Sequence, residues 1–331
     1  MPKYNGAQHV AGRKTDVKDS EWICQLVEHG LVRASFVPPV WVRRLRDLTR
    51  LRKAQVNERT RAIQRLEKVL QEAGIKLTSV ASQTYSKSSR AIIEALLTGI
   101  VDPAVLAELA KARLRSKIPQ LREALANRFD VAHHEILCAQ LLAHIDALEA
   151  AIGSLDERIE LVLQPHARLL ELLCTIPGVG KRTAQVLIAE CGIDMSIFPT
   201  VGHFASWAGM CPGHHESAGR RRSGRTRPGP RWLTEALTEA AKAASRTKGT
   251  YLAAHHAQLR GRRGEAKAIG ATRHDILVAY FHIVRDQVEF RELGADWNSR
   301  RYSVEHRARR LQRQLESLGY QVTLNEVQAT A

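Results

Sequence analysis

Ser217 and the arginines after it are the residues of this sequence that best suit chemistry on a phosphodiester. The serine opens a run of small residues, Ser217-Ala218-Gly219. No acidic residue interrupts the six arginines that follow, which are Arg220, Arg221, Arg222, Arg225, Arg227 and Arg231. Guanidinium groups bind non-bridging phosphate oxygens and stabilise the charge that develops there. The stretch therefore predicts a hydroxyl nucleophile in a cationic pocket, or alternatively a basic loop that contacts nucleic acid through phosphates with Ser217 as an ordinary turn residue.

A glycine turn forms a second candidate phosphate site. Ile176-Pro177-Gly178-Val179-Gly180 precedes an apolar helical run at 184–189. A turn of this kind opens a helix whose first backbone N–H groups are unpaired and can bind an anion. Gly178, Gly180 and Lys181 are the predicted nucleic-acid contacts, and none of them needs a particular base.

Two carboxylates near the N-terminus form a candidate metal site. Asp16 and Asp19 lie three residues apart in the first turn of a helix predicted from Thr15 to a stop at Gly30. Its predicted apolar side carries Trp22, Ile23, Leu26 and Val27. Carboxylates at this spacing can share Mg²⁺, the usual metal of phosphodiester chemistry. The alternative is structural: Thr15 or Asp16 caps the helix and Asp19 complements the helix dipole.

The composition points to a polyanionic partner. The 331 residues carry a formal net charge of +16, and nucleic acid is the commonest partner of such a chain. No apolar run approaches the roughly 18 residues of a spanning helix and no signal peptide opens the chain, which favours a cytoplasmic, nucleoid-associated protein over a membrane protein. The five cysteines are scattered without a C-x-x-C pair and predict reduced thiols rather than disulfides or a zinc site.

Periodicity predicts long helices before the basic stretch. A basic helix is expected at 40–73, a polar loop at 76–89, a helical insert at 90–125 and a helix at 132–163. The last places apolar residues at alternating spacings of four and three, as in a coiled coil. It should pair with the 40–73 helix, with another protomer, or with both. A coiled-coil assembly protein is therefore a further alternative, although it leaves the arginines after Ser217 unexplained.

The C-terminal half predicts a compact, mainly helical unit at 168–290. Helices are expected at 233–244 and 276–284, and one more near 303–318 in a charged tail from residue 291.

Three motifs in order resemble the DEDD-type transposases of the insertion sequence 110 family, including its 1111 subgroup. The first is Gly12-Arg13-Lys14-Thr15-Asp16-Val17-Lys18-Asp19. The second is the glycine turn with Thr183-Ala184, and the third runs from Gly209-Met210-Cys211-Pro212 to Glu216-Ser217-Ala218-Gly219. Together with the helical insert they cover most of residues 10–290.

The resemblance implies a mainly α fold with four parts. Residues 1–40 would be the remnant of a ribonuclease H-like α/β domain, 41–167 long coiled-coil helices, 168–290 a serine transposase domain with a helix-hairpin-helix-like motif, and 291–331 the tail. Asp16 and Asp19 match the third and fourth of four acidic ligands for Mg²⁺, Ser217 matches the nucleophilic serine, and Ser223 is its rival. Arg220, Arg221 and Arg222 would stabilise the transition state.

The resemblance also implies partners, and the chain departs from the family pattern at its N-terminus. Family members recombine DNA as homo-oligomers, here a dimer or tetramer, guided by an RNA that the element encodes. The strand with the first Asp and the segment with the Glu should precede residue 10 and are absent. The chain is therefore expected to be N-terminally truncated and to bind Mg²⁺ weakly. The alternative function is a catalytically inactive nucleic-acid-binding remnant.

Overall fold

The protein is mainly helical. The structure, a computed structural model, describes residues 15–31, 37–81, 85–213, 215–217, 219–223, 226–300 and 303–324. The helices of the first half are α1 (Asp16–Glu28), α2 (Val40–Glu72), α3 (Lys87–Leu97), α4 (Pro103–Glu108), α5 (Ile118–Ala124) and α6 (Val131–Leu163). Those of the second half are α7 (Ala167–Cys174), α8 (Lys181–Cys191), α9 (Val201–Trp207), α10 (Arg231–Ala244), α11 (Tyr251–Arg263), α12 (Glu265–Asp286), α13 (Trp297–Arg300) and α14 (Val304–Glu316). Two short strands, β1 (His215–Ser217) and β2 (Arg220–Ser223), form the sheet of the described residues.

Helices α2 and α6 form a long antiparallel pair. Each has 33 residues, about 50 Å of helix. Arg52 lies 2.5 Å from Asp156 and Arg59 lies 3.5 Å from Glu149, so the pairing runs in opposite directions along the two helices. The predicted pairing of the 132–163 helix with the 40–73 helix is thus found within one chain.

The predicted apolar seam of α6 is only partly buried. Ile145, Leu148, Ile152 and Ile159 are buried, whereas Leu137 near the start of the helix is 39% exposed. The structure does not test whether the seam also pairs with another protomer.

Two hydrophobic cores lie at different positions along this pair. The distal core joins Leu66 and Leu70 of α2 with Cys138 and Leu142 of α6, and the short helices α3 to α5 pack over it. The region predicted as a helical insert is therefore three short helices and a 3₁₀ segment (Ala112–Lys117) that close one end of the pair. Pro at the start of α4 and at the second position of α5 starts new helices there.

The proximal core holds the C-terminal unit together. Leu45 of α2 and Ile159 and Leu163 of α6 join the buried faces of α7 to α10 and α12. Phe204 of α9 is fully buried against Tyr280 and Phe281 of α12, with ring centroids 6.1 and 5.7 Å apart. The proximal core therefore continues across the expected boundary at residue 167.

Several expectations need correction. The apolar side of the first helix is not a core face, because α1 buries no side chain and Ile23 and Val27 are more than half exposed. The expected loop at 76–89 contains a 3₁₀ turn at Leu77–Ser79 and already enters α3 at Lys87. The expected ribonuclease H-like remnant at 1–40 is not confirmed: α1 is the one complete element described there, and residues 1–14 and 32–36 lie outside the described residues.

One stretch also corrects the expected absence of a membrane-length helix. Residues Val131–Cys174 are long and apolar enough to cross a membrane, by length and composition only. Within this stretch α6 pairs with α2 and carries Glu149 and Asp156 in ion pairs to that helix. The pairing with α2 accounts for the buried apolar residues of this stretch, such as Ile145 and Ile152.

Candidate functional site

Ser217 lies at the tip of a β-hairpin. It is the last residue of β1 and pairs with Arg220, the first residue of β2. Gly219 has φ +71°, a conformation that glycine adopts without strain. The paired residues Ser217 and Arg220 are separated by two positions of the sequence. The side chains of residues 215–217 and 221–223 lie outside the described residues, as do residues 214, 218, 224 and 225.

The rival serine lies at the other end of the hairpin. Ser223 pairs with His215, and the register shifts between His215 and Glu216. Three residues of strand separate the Ser223 end from the Ser217 end, which is about 10 Å. The two hydroxyl residues therefore cannot occupy the same position relative to a bound strand.

The stem of the hairpin is held by two glycines. A Cβ added to Gly209 would lie 2.6 Å from Cα of Gly229, and a Cβ added to Gly229 would clash with the carbonyl oxygen of Ala208. The backbones before and after the hairpin thus cross in direct contact. An isolated bridge between Pro212 and Thr226 continues the stem toward the strands. The hairpin therefore leaves the protein from a fixed base between α9 and α10.

The glycine turn joins α7 to α8. Gly178 has φ +85°, and a Cβ added there would lie 2.5 Å from N and 2.9 Å from Cα of Ala244 in α10. This glycine is therefore required by helix packing, a reason that the sequence interpretation did not include. Gly180 differs, since a Cβ there meets nothing within 4 Å.

The start of α8 is open to an anion. Gly180 is its N-cap and makes no side-chain cap hydrogen bond, and the first turn carries no acidic residue. Lys181 is exposed and lies 2.5 Å from Glu160, while Arg182 lies 3.2 Å from Asp156. The two cations beside this helix start are thus partly neutralised by α6.

A cleft of about 360 Å³ lies between α2, α8 and α10. Lining residues that carry charge are Arg50, Arg52, Lys53, Arg59, Arg182, Glu190, Glu235 and Glu239. Glu190 is 2% exposed, and Arg50 donates to both its carboxylate oxygens at 2.8 and 2.9 Å. Lys53 lies 2.7 Å from Glu239. Because internal carboxylates neutralise these cations, the cleft is a structural ion-pair network more than a free anion site.

Asp16 and Asp19 lie in the first turn of α1. Thr15 caps the helix by accepting a hydrogen bond from the N–H of Lys18 at 3.3 Å, and both carboxylates sit where they complement the dipole. No described contact brings them to the hairpin. Within the described ranges no group of three or more His, Cys, Asp or Glu residues could hold a metal ion.

The buried thiols do not offer a competing nucleophile. Burial raises the pKa of Cys138 to about 11 and also raises the pKa of the fully buried Cys191. Both therefore stay protonated at neutral pH, and a thiol is a poor nucleophile without its thiolate.

Comparison with known proteins supports the resemblance in both halves of the chain. Residues 170–257, which contain the glycine turn, the hairpin and α10, match the model of the transposase IS116/IS110/IS902 family. Residues 1–75 match a second transposase model, that of the DEDD domain of IS110 transposases. Both models describe transposases of the IS110 group, so the comparisons support the family that the sequence motifs resemble.

Individual relatives agree with the two model matches. The chain is 31% identical to the uncharacterized 42 kDa protein of insertion element IS900 from Mycobacterium paratuberculosis, over 62% of this chain and 55% of that protein. It is 32% identical to the uncharacterized 43.6 kDa protein of insertion element IS110 from Streptomyces coelicolor, over 35% and 32%. A segment of 46 residues, 14% of each chain, is 50% identical to the pilin gene-inverting protein of Moraxella bovis. The matched segment thus spans about half the length of the IS900 protein and a smaller share of the other two relatives.

The candidate site includes two glycines to which sequence reasoning gave no role. Gly209 stands in the quoted family motif, and Gly229 lies between two prolines in Pro228-Gly229-Pro230. Glycine flanked by proline signals a turn, but not the residue 20 positions away that it contacts. Of the predicted nucleic-acid contacts, Arg220 and Arg227 are exposed.

Proposed function

We propose that this chain cuts and rejoins DNA strands of an insertion sequence, with Ser217 as the nucleophile. The observation that carries the proposal is the hairpin: Ser217 stands at its tip, paired with Arg220, on a stem fixed by the Gly209–Gly229 crossing. A projecting tip can reach the backbone of a duplex, whereas a residue in a packed core cannot.

The proposed reaction exchanges one phosphodiester for another. The Ser217 oxygen attacks the phosphorus of a DNA phosphodiester, the bond from phosphorus to a deoxyribose oxygen breaks, and a phosphoserine ester forms. The serine proton is lost to water, and the released deoxyribose oxygen takes up a proton. A strand hydroxyl later attacks the phosphoserine and restores the serine, so that the bond energy is retained throughout. The arginines of β2 and Arg227 would stabilise the charge on the non-bridging oxygens.

The described residues do not by themselves form a magnesium site. Asp16 and Asp19 supply two carboxylates, and Mg²⁺ held by so few ligands usually needs substrate phosphates and water to complete its octahedron. No step of the reaction is therefore routed through the metal. Weak Mg²⁺ binding that tightens when DNA is present stays a prediction, and titration calorimetry with and without DNA measures it.

The test compares two serines of one hairpin. Wild type, Ser217→Ala and Ser223→Ala are incubated with labelled DNA that carries an end of the element, and covalent protein–DNA adducts are separated in denaturing gels. The adduct is expected in wild type and Ser223→Ala and not in Ser217→Ala, while fluorescence anisotropy shows equal DNA binding by all three. An adduct that survives in Ser217→Ala would refute the assignment of the nucleophile.

The second candidate is a nucleic-acid-binding protein without catalysis. It is favoured by the position of the exposed Asp16 and the partly exposed Asp19 on a helix that buries no side chain, and by the lack of a third metal ligand among the described residues. It predicts salt-sensitive binding that survives both Ser217→Ala and chelation of Mg²⁺. Wild-type protein that binds the element's end but never forms an adduct supports this candidate.

The partners that the family resemblance implies remain part of the proposal. We expect a homo-oligomer, a dimer or tetramer, that binds DNA together with a guide RNA in the nucleoid. Light scattering on the purified chain measures the first expectation, and sequencing of co-purified RNA measures the second.

A further inference from the structure

The cations between residues 240 and 274 differ from those of α2 in lacking carboxylate partners. Between residues 240 and 274 the sequence carries eight lysines and arginines but one carboxylate, Glu265. These cations are Lys242, Arg246, Lys248, Arg260, Arg262, Arg263, Lys267 and Arg273. Within the described part of the chain, none of the eight forms an ion pair, whereas six cations of α2 do.

The neighbouring carboxylates are already engaged elsewhere. Glu239 pairs with Lys53 of α2 at 2.7 Å. Asp275 lies 2.8 Å from His255, and Glu265 lies 3.5 Å from the buried His256. The positive charge of this region is therefore not offset by the acidic residues nearest to it in sequence.

Arg273 is the unusual member of the group. It is half-buried on α12, and its Nη1 donates to the hydroxyl of Thr238 on α10 at 3.3 Å. Its Nε is buried and has no acceptor among the described residues. Burial without a carboxylate lowers the pKa of the guanidinium, as expected where the charged form lacks compensation. A buried donor without an acceptor costs free energy. A bound anion would supply the acceptor that the described residues do not give to the Arg273 Nε.

Several of the other cations lie on the two helices that pack against α12. Helix α12 packs against both α10 and α11. Lys242 lies one turn beyond Thr238 on α10, and Arg260, Arg262 and Arg263 are exposed in the last turn of α11. Gly178 lies against Ala244, so the open start of α8 adjoins the same end of α10.

We infer that the face formed by α10, α11 and α12 binds the phosphodiester backbone of a second nucleic-acid segment, with Arg273 as its partly buried anchor. The inference deepens the proposed function, because it adds a binding face separate from the hairpin. Phosphates supply the acceptors that Arg273 lacks, and the exposed cations of α10 and α11 follow the backbone without reading its sequence.

The first experiment removes exposed charge. A triple variant, Arg260→Gln, Arg262→Gln and Arg263→Gln, is compared with a control that loses the same charge in the distal unit, Lys111→Gln, Arg113→Gln and Lys117→Gln. Fluorescence anisotropy measures binding of labelled duplex DNA and of single-stranded RNA across a salt series. Three lost phosphate contacts should lower affinity about ten- to hundred-fold and reduce the salt slope by about 3 on duplex DNA, while the control changes little.

A loss confined to one probe assigns the face to that nucleic acid, and a loss with both assigns it to the backbone they share. Equal losses in the triple variant and its control would overturn the inference, because net charge alone would then explain binding. Unchanged binding in the triple variant would overturn it as well.

The second experiment separates binding from folding at Arg273. Arg273→Met keeps the bulk of the side chain but removes the guanidinium. We expect weaker binding with a thermal midpoint that is unchanged or higher, since an uncompensated buried charge has been removed. A lower midpoint with unchanged affinity would mean that Arg273 serves packing through Thr238 and would refute its role as anchor.

Failure of this inference is distinguishable from failure of the proposed function. The adduct assay on wild type and Ser217→Ala tests the reaction, and the anisotropy of the triple variant tests the binding face. If wild type forms no adduct, the reaction proposal fails while the binding face can still be measured by anisotropy.

Discussion

Replacement of Gly178 by alanine is expected to destabilise the C-terminal unit strongly. The new Cβ would lie 2.5 Å from N and 2.9 Å from Cα of Ala244, both backbone atoms of α10 that cannot rotate away. Overpacking of this kind costs about 1–3 kcal/mol. The backbone at φ +85° adds about 1–2 kcal/mol for a residue with a Cβ. The free energy of unfolding should therefore fall by about 2–5 kcal/mol.

Gly180 supplies a matched control in the same turn. A Cβ there meets nothing within 4 Å, and the loss of an N-cap glycine costs below about 1 kcal/mol. Guanidinium unfolding followed by tryptophan fluorescence suits the comparison, because Trp207 and Trp232 lie in the same unit as the turn. If Gly178 served only close approach to a phosphate, Gly178→Ala would fold as stably as wild type and lose nucleic-acid binding alone. That result, or equal destabilisation by both variants, would refute the packing argument.

Three further predictions concern charge and thiols. Glu190→Gln should lower the free energy of unfolding by about 1–3 kcal/mol in denaturant titrations, because it breaks a buried carboxylate pair whose partner Arg50 is 36% exposed. Hydrogen bonds from Arg90 lower the pKa of Asp146, so its stabilising contribution is present above about pH 4 and is lost as pH falls through the lower folded value. Asp146→Asn should remove that part of the acid dependence, by less than about 1 kcal/mol since Asp146 is 44% exposed. At neutral pH Ellman's reagent should label the exposed Cys24 in the native protein but Cys138 only after unfolding, because burial raises the pKa of Cys138 to about 11.

Local pattern predicted much of the helical framework. The apolar spacing of the 132–163 stretch indicated a helix that pairs, and α6 does pair with α2. The glycine signal predicted a helix end at Gly30, and α1 ends at Glu28. The apolar period predicted a helix near 303–318, and α14 spans Val304–Glu316. Signals of this kind lie within a few turns of the residue they describe, so a single sequence contains them.

Contacts between distant residues could not be predicted in the same way. The residues near Gly178 in sequence do not indicate that it packs against Ala244. Those near Gly209 do not indicate that its backbone contacts the backbone of Gly229. The basic residues of α2 and of α11 look alike in sequence, yet those of α2 meet carboxylates from α6, α8 and α10. Charge compensation depends on which helices become neighbours, and this information is absent from the run of charges itself.

The antiparallel pair of α2 and α6 also constrains how the protein can change length. Each residue removed from one helix would rotate the distal core by about 100° and move it by about 1.5 Å relative to the proximal core. A shorter or longer form can therefore keep both cores packed only if both helices change together by whole repeats of about seven residues, or about 10 Å. The distance between the distal and proximal cores should therefore change only in steps of about 10 Å. Relatives whose helix pair has an intermediate length should be rare.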